Sequence, residues 1–278
     1  MGTGTGIGIG IPFRRMGGGA ANTARTQAFL TATGITDATI ISALNAMDTS
    51  LISAGLLPSG TGAGIIKVLY PFVGGTASLH KWNFVNPQDT DSAKRIVWFG
   101  GMTHNSNGIT GNGSNAYGNM FITPDPDFNI NDVGMSYLCS NSGIDGNTIF
   151  GVQSASNDTR FFHFPAYNGA NTTQTNINSG AAQLTAAARQ GFHSIQRTSG
   201  TNQNTYRNGV LNADVFSISQ IRSTLNMFLL ATNINGTPTY IDASNIRFFA
   251  AHTALNATQA LNLYNANVSF QTILGRNV

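Results

Sequence analysis

From Ile65 onward the chain is written as ten short apolar segments, the first IIKVLYPF and the last SNIRFFAAH, separated by clusters of Asn, Gly, Ser and Thr. That punctuation is the strongest constraint on the fold. Apolar runs of this length, bounded by turn formers and repeated along a chain, are strands of an antiparallel sandwich or barrel. Between those two segments stand KRIVWFGG, NMFITP, VGMSYLCS, NTIFGVQ, TRFFHF, GFHSIQR, NTYRNGV and MFLLATN. Composition points the same way. Glutamate is absent, the only lysines are Lys67, Lys81 and Lys94, and 9% of residues are charged, against about a quarter in an ordinary soluble domain. Residues that dress helix surfaces are thus scarce, while Asn, Gly and Thr favour turns and strands. An all-β fold is the expectation. At 278 residues and 41% hydrophobic, the chain can bury one large sandwich core.

Several function classes lose their basis at this level. The net charge of +3 is small and scattered, whereas nucleic-acid binding calls for a concentrated Lys/Arg stripe. Cys139 stands alone, so neither a disulfide framework nor a Cys-rich metal site is expected. No run approaches the ~20 apolar residues of a membrane span, and the start lacks a basic-then-apolar export signal. The product is expected to be made in a cytoplasm.

Three zones follow. Residues 1–31 are a Gly-rich arm of low complexity. Alone, such a segment stays disordered, but the alternation of Gly with Ile7, Ile9 and Ile11 suits an extended strand added to a neighbour's sheet edge. Phe13, Arg14 and Arg15 would then serve as anchors. Residues 36–57 read as one amphipathic linking helix. Ile40, Leu44, Met47 and Leu51 recur at helical steps, Thr36 or Asp37 caps the start, and Gly55 and Pro58 mark the end. Its apolar stripe is long enough to pack against copies of itself in a trimer. Residues 62–278 form the β domain, closed by a short helix carrying Leu255, Gln259, Leu263 and Tyr264 that packs on the sandwich edge.

The stretch GFHSIQRTSGTNQNTYRNGVL, whose second strand ends in Tyr206, Arg207, Asn208 and Gly209, resembles a hairpin of the concanavalin A-like, laminin-G-type jelly roll. YIDASNIRFFAAHTALNATQALNLYNA resembles the closing strand and helix of that fold, with Asp242, Leu255 and Gln259 at the matching places. The block LYPFVGGTASLHKWNFVNPQDTDSAKRIVWFGG and the terminal FQTILGR resemble head- or tail-associated bacteriophage proteins. The resemblance covers residues 65–278. It implies a two-sheet antiparallel jelly-roll sandwich in a phage virion protein: a fibre, spike or decoration protein held to other virion proteins by its arm. Host glycan or receptor binding is one task it implies. The alternative is a carbohydrate-binding module, or a polysaccharide-degrading enzyme, with no virion role.

Retaining glycosidases need two carboxyls about 5 Å apart, and jelly-roll enzymes resembling laminarinases use Glu, which is missing here. Asp89 with Asp91, and Asp125 with Asp127, are the acidic pairs two apart. The run DPDFNIND alternates carboxylates and amides, yet Ile130 and Ser136 stand where a calcium loop needs Gly and a carboxylate. Calcium stays an open alternative to a plain turn, with Phe128 and Ile130 facing inward. The five histidines never stand four apart, so no zinc signature exists. No enzymatic activity and no cofactor are expected. A sugar site wants an aromatic face beside amide donors and acceptors. The candidates are Trp82, His104, Asn105, Asn107 and Tyr117, which must share one exposed rim to act together.

Overall fold

The computed structural model describes residues 21–141, 147–154, 159–165, 172–179, 182–185 and 188–276. Sheet I is eight-stranded. In spatial order it runs β13 (Val210–Phe216), β12 (Asn202–Arg207), β11 (Gly191–Arg197), β6 (Val133–Cys139), β17 (Asn245–His252), β4 (Gly108–Thr110) and β3 (Thr103–Asn105), with β1 (Ile66–Tyr70) also paired to β17. Sheet II is nine-stranded. Its order is β10 (Ala182–Thr185), β9 (Thr172–Ile177), β8 (Phe161–Phe164), β7 (Phe150–Gln153), β14 (Phe228–Leu229), β5 (Tyr117–Asn119) and β2 (Val97–Phe99). The hairpin of β15 (Thr232–Ile234) and β16 (Thr237–Thr239) joins it through β15, which lies parallel to β7. The other pairings described are antiparallel. The chain is a two-sheet β-sandwich of the jelly-roll kind, as its punctuation predicts.

Turn chemistry sets the hairpins. Asn208 and Gly209 have φ of 50° and 78°, and Asn235 and Gly236 have 51° and 87°. Two consecutive positive-φ residues make the turn whose twist matches antiparallel strands, and Asn-Gly is the pair that adopts it at least cost. Strand β6 is buried along all seven residues. Met135 and Tyr137 face sheet II, while Leu138 faces away into a second core. A strand covered on both sides has no reason to alternate in polarity.

That second core lies under helices. Among the described residues these are α1 (Ala24–Thr33), α2 (Ala38–Ser53), the single turns α3 (Ala77–His80) and α4 (Pro124–Asp127), and α5 (Ala257–Ile273). Leu44, Met47 and Leu51 of α2 are fully buried, together with Leu263 and Phe270 of α5 and Leu138, Phe192 and Phe248 of sheet I. The molecule therefore has three layers: helices, sheet I and sheet II. The apolar stripe of α2 is covered by its own chain, so it offers nothing for the expected trimer. Helix α5 is 17 residues long and covers the face of sheet I, where a short helix on the edge was expected. The cause is the apolar outer face of sheet I, which needs cover.

The arm expected up to residue 31 is shorter than that, because α1 occupies its end. Thr23 caps this helix by accepting from Thr26 N. Arg25 and Phe29 are fully buried. Arg25 pairs with Asp48 of α2 and donates through Nη2 to the carbonyls of Pro58, Gly60 and Gly62 at 3.1, 2.7 and 3.1 Å. This clamp fastens α1, α2 and the 58–62 loop together. The arm residues Ile7, Ile9, Ile11, Phe13, Arg14 and Arg15 lie outside the described residues.

Candidate functional site

The sequence candidates do not share a rim. Trp82 is half-buried against the core under the helices, with Lys81 Nζ 5.1 Å from its ring centre. Asn105 Oδ1 accepts from the backbone N of Asn107 at 2.8 Å, so both residues build the turn between β3 and β4. His104 turns its ring to Trp98, with centres 4.8 Å apart, and its Nδ1 lies 3.1 Å from Nδ1 of His80. His80 Nε2 accepts from Gly75 N at 3.2 Å. Its proton therefore sits on Nδ1, which donates to His104. Burial, the neighbouring His104 and Arg276 push the His80 pKa down to about 3, and burial lowers that of His104. This pair is a neutral strut.

Asn105 and Asn107 are exposed in their turn, and half-buried Tyr117 belongs to an aromatic stack that the sequence did not disclose. In β2 and β5, Phe99 pairs with Tyr117 and Trp98 with Gly118, so Phe99 and Tyr117 share the outward face of sheet II. Trp98 points the other way, and a Cβ on Gly118 would come within 2.8 Å of its ring. Phe99 and Tyr117 stack at 4.8 Å with planes 9° apart, and Phe228 of β14 continues the row at 4.7 Å from Tyr117. Phe228 is buried, but Phe99, at the sheet edge, is 41% exposed. Asn119 lies on the same face two residues beyond Tyr117 and pairs across the sheet with Val97. Asn115 sits against Gly100, the residue after Phe99, so closely that a Cβ there would meet its backbone oxygen at 2.1 Å. The side-chain oxygens of both amides hold the local chain: Asn119 Oδ1 accepts from Phe121 N at 3.0 Å and Asn115 Oδ1 from Asn112 Nδ2 at 2.7 Å.

A larger cleft, of about 890 Å³, opens between α1 and the sandwich and is lined by Gln27, Asn86, Gln88, Lys67, Lys94 and Asp127 among others. It has no exposed aromatic face. Lys94 Nζ pairs with Asp127 at 2.6 Å and Arg222 with Asp125 at 2.8 Å. Asp125 and Asp127 of the DPDFNIND run are thus held by cations of the chain, and Asp132 Oδ1 accepts from Ala254 N at 2.7 Å. Among the described residues, no cluster of three or more His, Cys or Asp is placed to hold a metal ion. The pair Asp89 and Asp91 is bound by Arg95, at 3.0 and 2.8 Å.

No protein-family model and no curated protein sequence matches this chain. Solved structures do match. Trypanosoma rangeli sialidase in complex with sialic acid is similar with a TM-score of 0.50 and 10% identity, over 81% of this chain and 38% of that one. The botulinum neurotoxin serotype D binding domain matches with 0.45 and 12% identity, over 65% of this chain and 50% of that one. Domain 4 of an extracellular arabinanase from Geobacillus stearothermophilus, in complex with arabinotriose, matches with 0.44 and 11% identity, over 71% of this chain and 97% of that domain. The chain spans half or less of the first two. The sialidase likeness is one of fold and agrees with the two-sheet sandwich.

Proposed function

We propose that the chain is a carbohydrate-binding β-sandwich module used for attachment, displayed on a phage virion through its N-terminal arm. The observation that carries the binding role is the Phe99–Tyr117 stack, open at the sheet edge and flanked by the Asn115 and Asn119 amides. A pyranose presents an apolar face to an aromatic ring and hydroxyls to amides, and this surface offers both. The virion setting rests on the resemblance of residues 65–278 and on the Gly/Ile arm. Hydrolysis has less support. Asp89, Asp91, Asp125 and Asp127 are tied to Arg or Lys, so neither pair is placed as a free acid and nucleophile.

The test is binding of the purified full chain to the surface polysaccharide of host cells, beside Phe99→Ala and Tyr117→Ala. Both variants are expected to lose about tenfold in affinity, which is about 1.4 kcal/mol, near the top of the ~0.5–1.5 kcal/mol of an aromatic contact. Phe99→Ala should keep the wild-type melting temperature. Unchanged affinity in both variants would remove the site, and absence of binding by the wild type would leave a decoration role.

A further inference from the structure

Strand β13 ends sheet I, and among the described residues nothing pairs with its outer side. The strands at the other ends of the two sheet orders, β3, β10 and β2, are three or four residues long, whereas β13 has seven. It carries neither Lys nor Pro, residues that commonly blunt a sheet edge. A bulge disturbs its start at Leu211–Ala213, and from Ala213 onward its pairing with β12 is regular.

Just past the strand, Ser217 N donates back to Thr201 O at 2.7 Å and Ser219 N to Gly200 O at 2.8 Å. Ser217 O also turns inward, accepting from Arg197 Nη1 at 2.7 Å. Backbone groups alternate sides along an antiparallel strand, so the N–H and C=O groups of Asp214, Phe216 and Ile218 point outward. Among the described residues no bond reaches them. Their side chains are exposed too, Phe216 at 72% and Ile218 at 62%. Val210, Leu211 and Ile221 add to the run, and no other stretch of the described chain exposes as many large apolar side chains.

A row of free peptide groups between apolar side chains is matched by another extended strand. This row is its own complement. With a two-fold axis through Ser217, Phe216 of one copy stands opposite Ile218 of the other, and Ile218 opposite Phe216. Apolar side chains then face each other, and the outward N–H and C=O groups of these residues meet their counterparts. We infer that two copies of this chain join here edge to edge and antiparallel, so that sheet I runs on from one copy into the next. Strand β13 lies beside β10, at the end of sheet II away from β2. The Phe99–Tyr117 edge therefore stays open in each copy, and the inference does not rest on sugar binding.

Sedimentation velocity of the full chain over a range of micromolar concentrations tests this. A concentration-dependent dimer is expected. Phe216→Lys and Ile218→Lys each put a charge at an exposed position, and should weaken the dimer about tenfold or more while the monomer stays folded. Val268→Lys, on the exposed side of α5, should leave the dimer intact. Amide exchange over residues 214–218 should be slower in the dimer than in Ile218→Lys. A monomer at every concentration, a dimer that both edge variants retain, an equal loss in Val268→Lys, or unchanged exchange over 214–218 would overturn the inference.

Discussion

Most of the charged and imidazole groups here act as fasteners, and this decides which side chains are left for function. Arg25 and Asp48 are both fully buried and joined. Removing one partner strands the other, so Asp48→Ala should lower the unfolding free energy by about 3–5 kcal/mol, read from denaturant melts. His163, His193 and His252 are buried and held neutral, and burial lowers the pKa of the last two from 6.5 to about 4. His252 donates from Nδ1 to Thr253 O at 2.7 Å, which leaves Nε2 to accept from Ser136 at 2.8 Å. Below pH 6.5 the unfolded chain takes up these protons first. Stability is therefore complete above pH 6.5 and falls as pH drops toward 4. His193 and His252 should each contribute about 2 kcal/mol less at pH 5 than at pH 7.5. Together these lower the melting temperature by roughly 10 °C. A flat melting temperature between those pH values would contradict the neutral, buried imidazoles. Sequence reasoning found Tyr117 but missed Phe99, its stacking partner. In VWFGG two aromatic residues stand side by side, and only the register of β2 against β5 tells which one faces out. It also offered His104, whose ring is spent on His80 and Trp98.

At the scale of elements, periodicity was readable where tertiary contacts were not needed to interpret it. Helix α2 announces itself through Ile40, Leu44, Met47 and Leu51, and Asp37 is one of the two caps its sequence allows. Helix α1 does not. Of its ten residues only Phe29 and Leu30 are large and apolar, and its third anchor is an arginine whose burial depends on Asp48. Strand punctuation located most of the apolar strands, but of NMFITP only Asn119 lies in a strand, the end of β5, and the short β3, β4 and β16 carry too few residues to show a period. These contacts move the cut that separates arm from domain. A chain starting at residue 21 should fold with the wild-type melting temperature. One starting at residue 60 loses α1 and α2, exposing Leu138, Phe192 and Phe248, and should aggregate, as light scattering would show. Leu44→Ala, inside this core, should cost about 2–5 kcal/mol.

For the whole molecule, the helical layer closes one face of sheet I and sheet II closes the other, so neither layer covers the outward face of sheet II. The Phe99–Tyr117 stack stands there, on the sheet that does not pack against α2 and α5. Helix α1, which opens the described chain, belongs to the helical layer, and the aromatic edge belongs to the opposite sheet. That arrangement suits a module held at one side and binding at the other. Titrating labelled full-length protein onto host cells, with purified surface polysaccharide as competitor, measures the binding role most directly. Saturable binding that the polysaccharide removes, and that Phe99→Ala and Tyr117→Ala lose, is the predicted result. Saturable binding that both variants retain would contradict the aromatic stack as its site, and no binding even on multivalent display would contradict the attachment role.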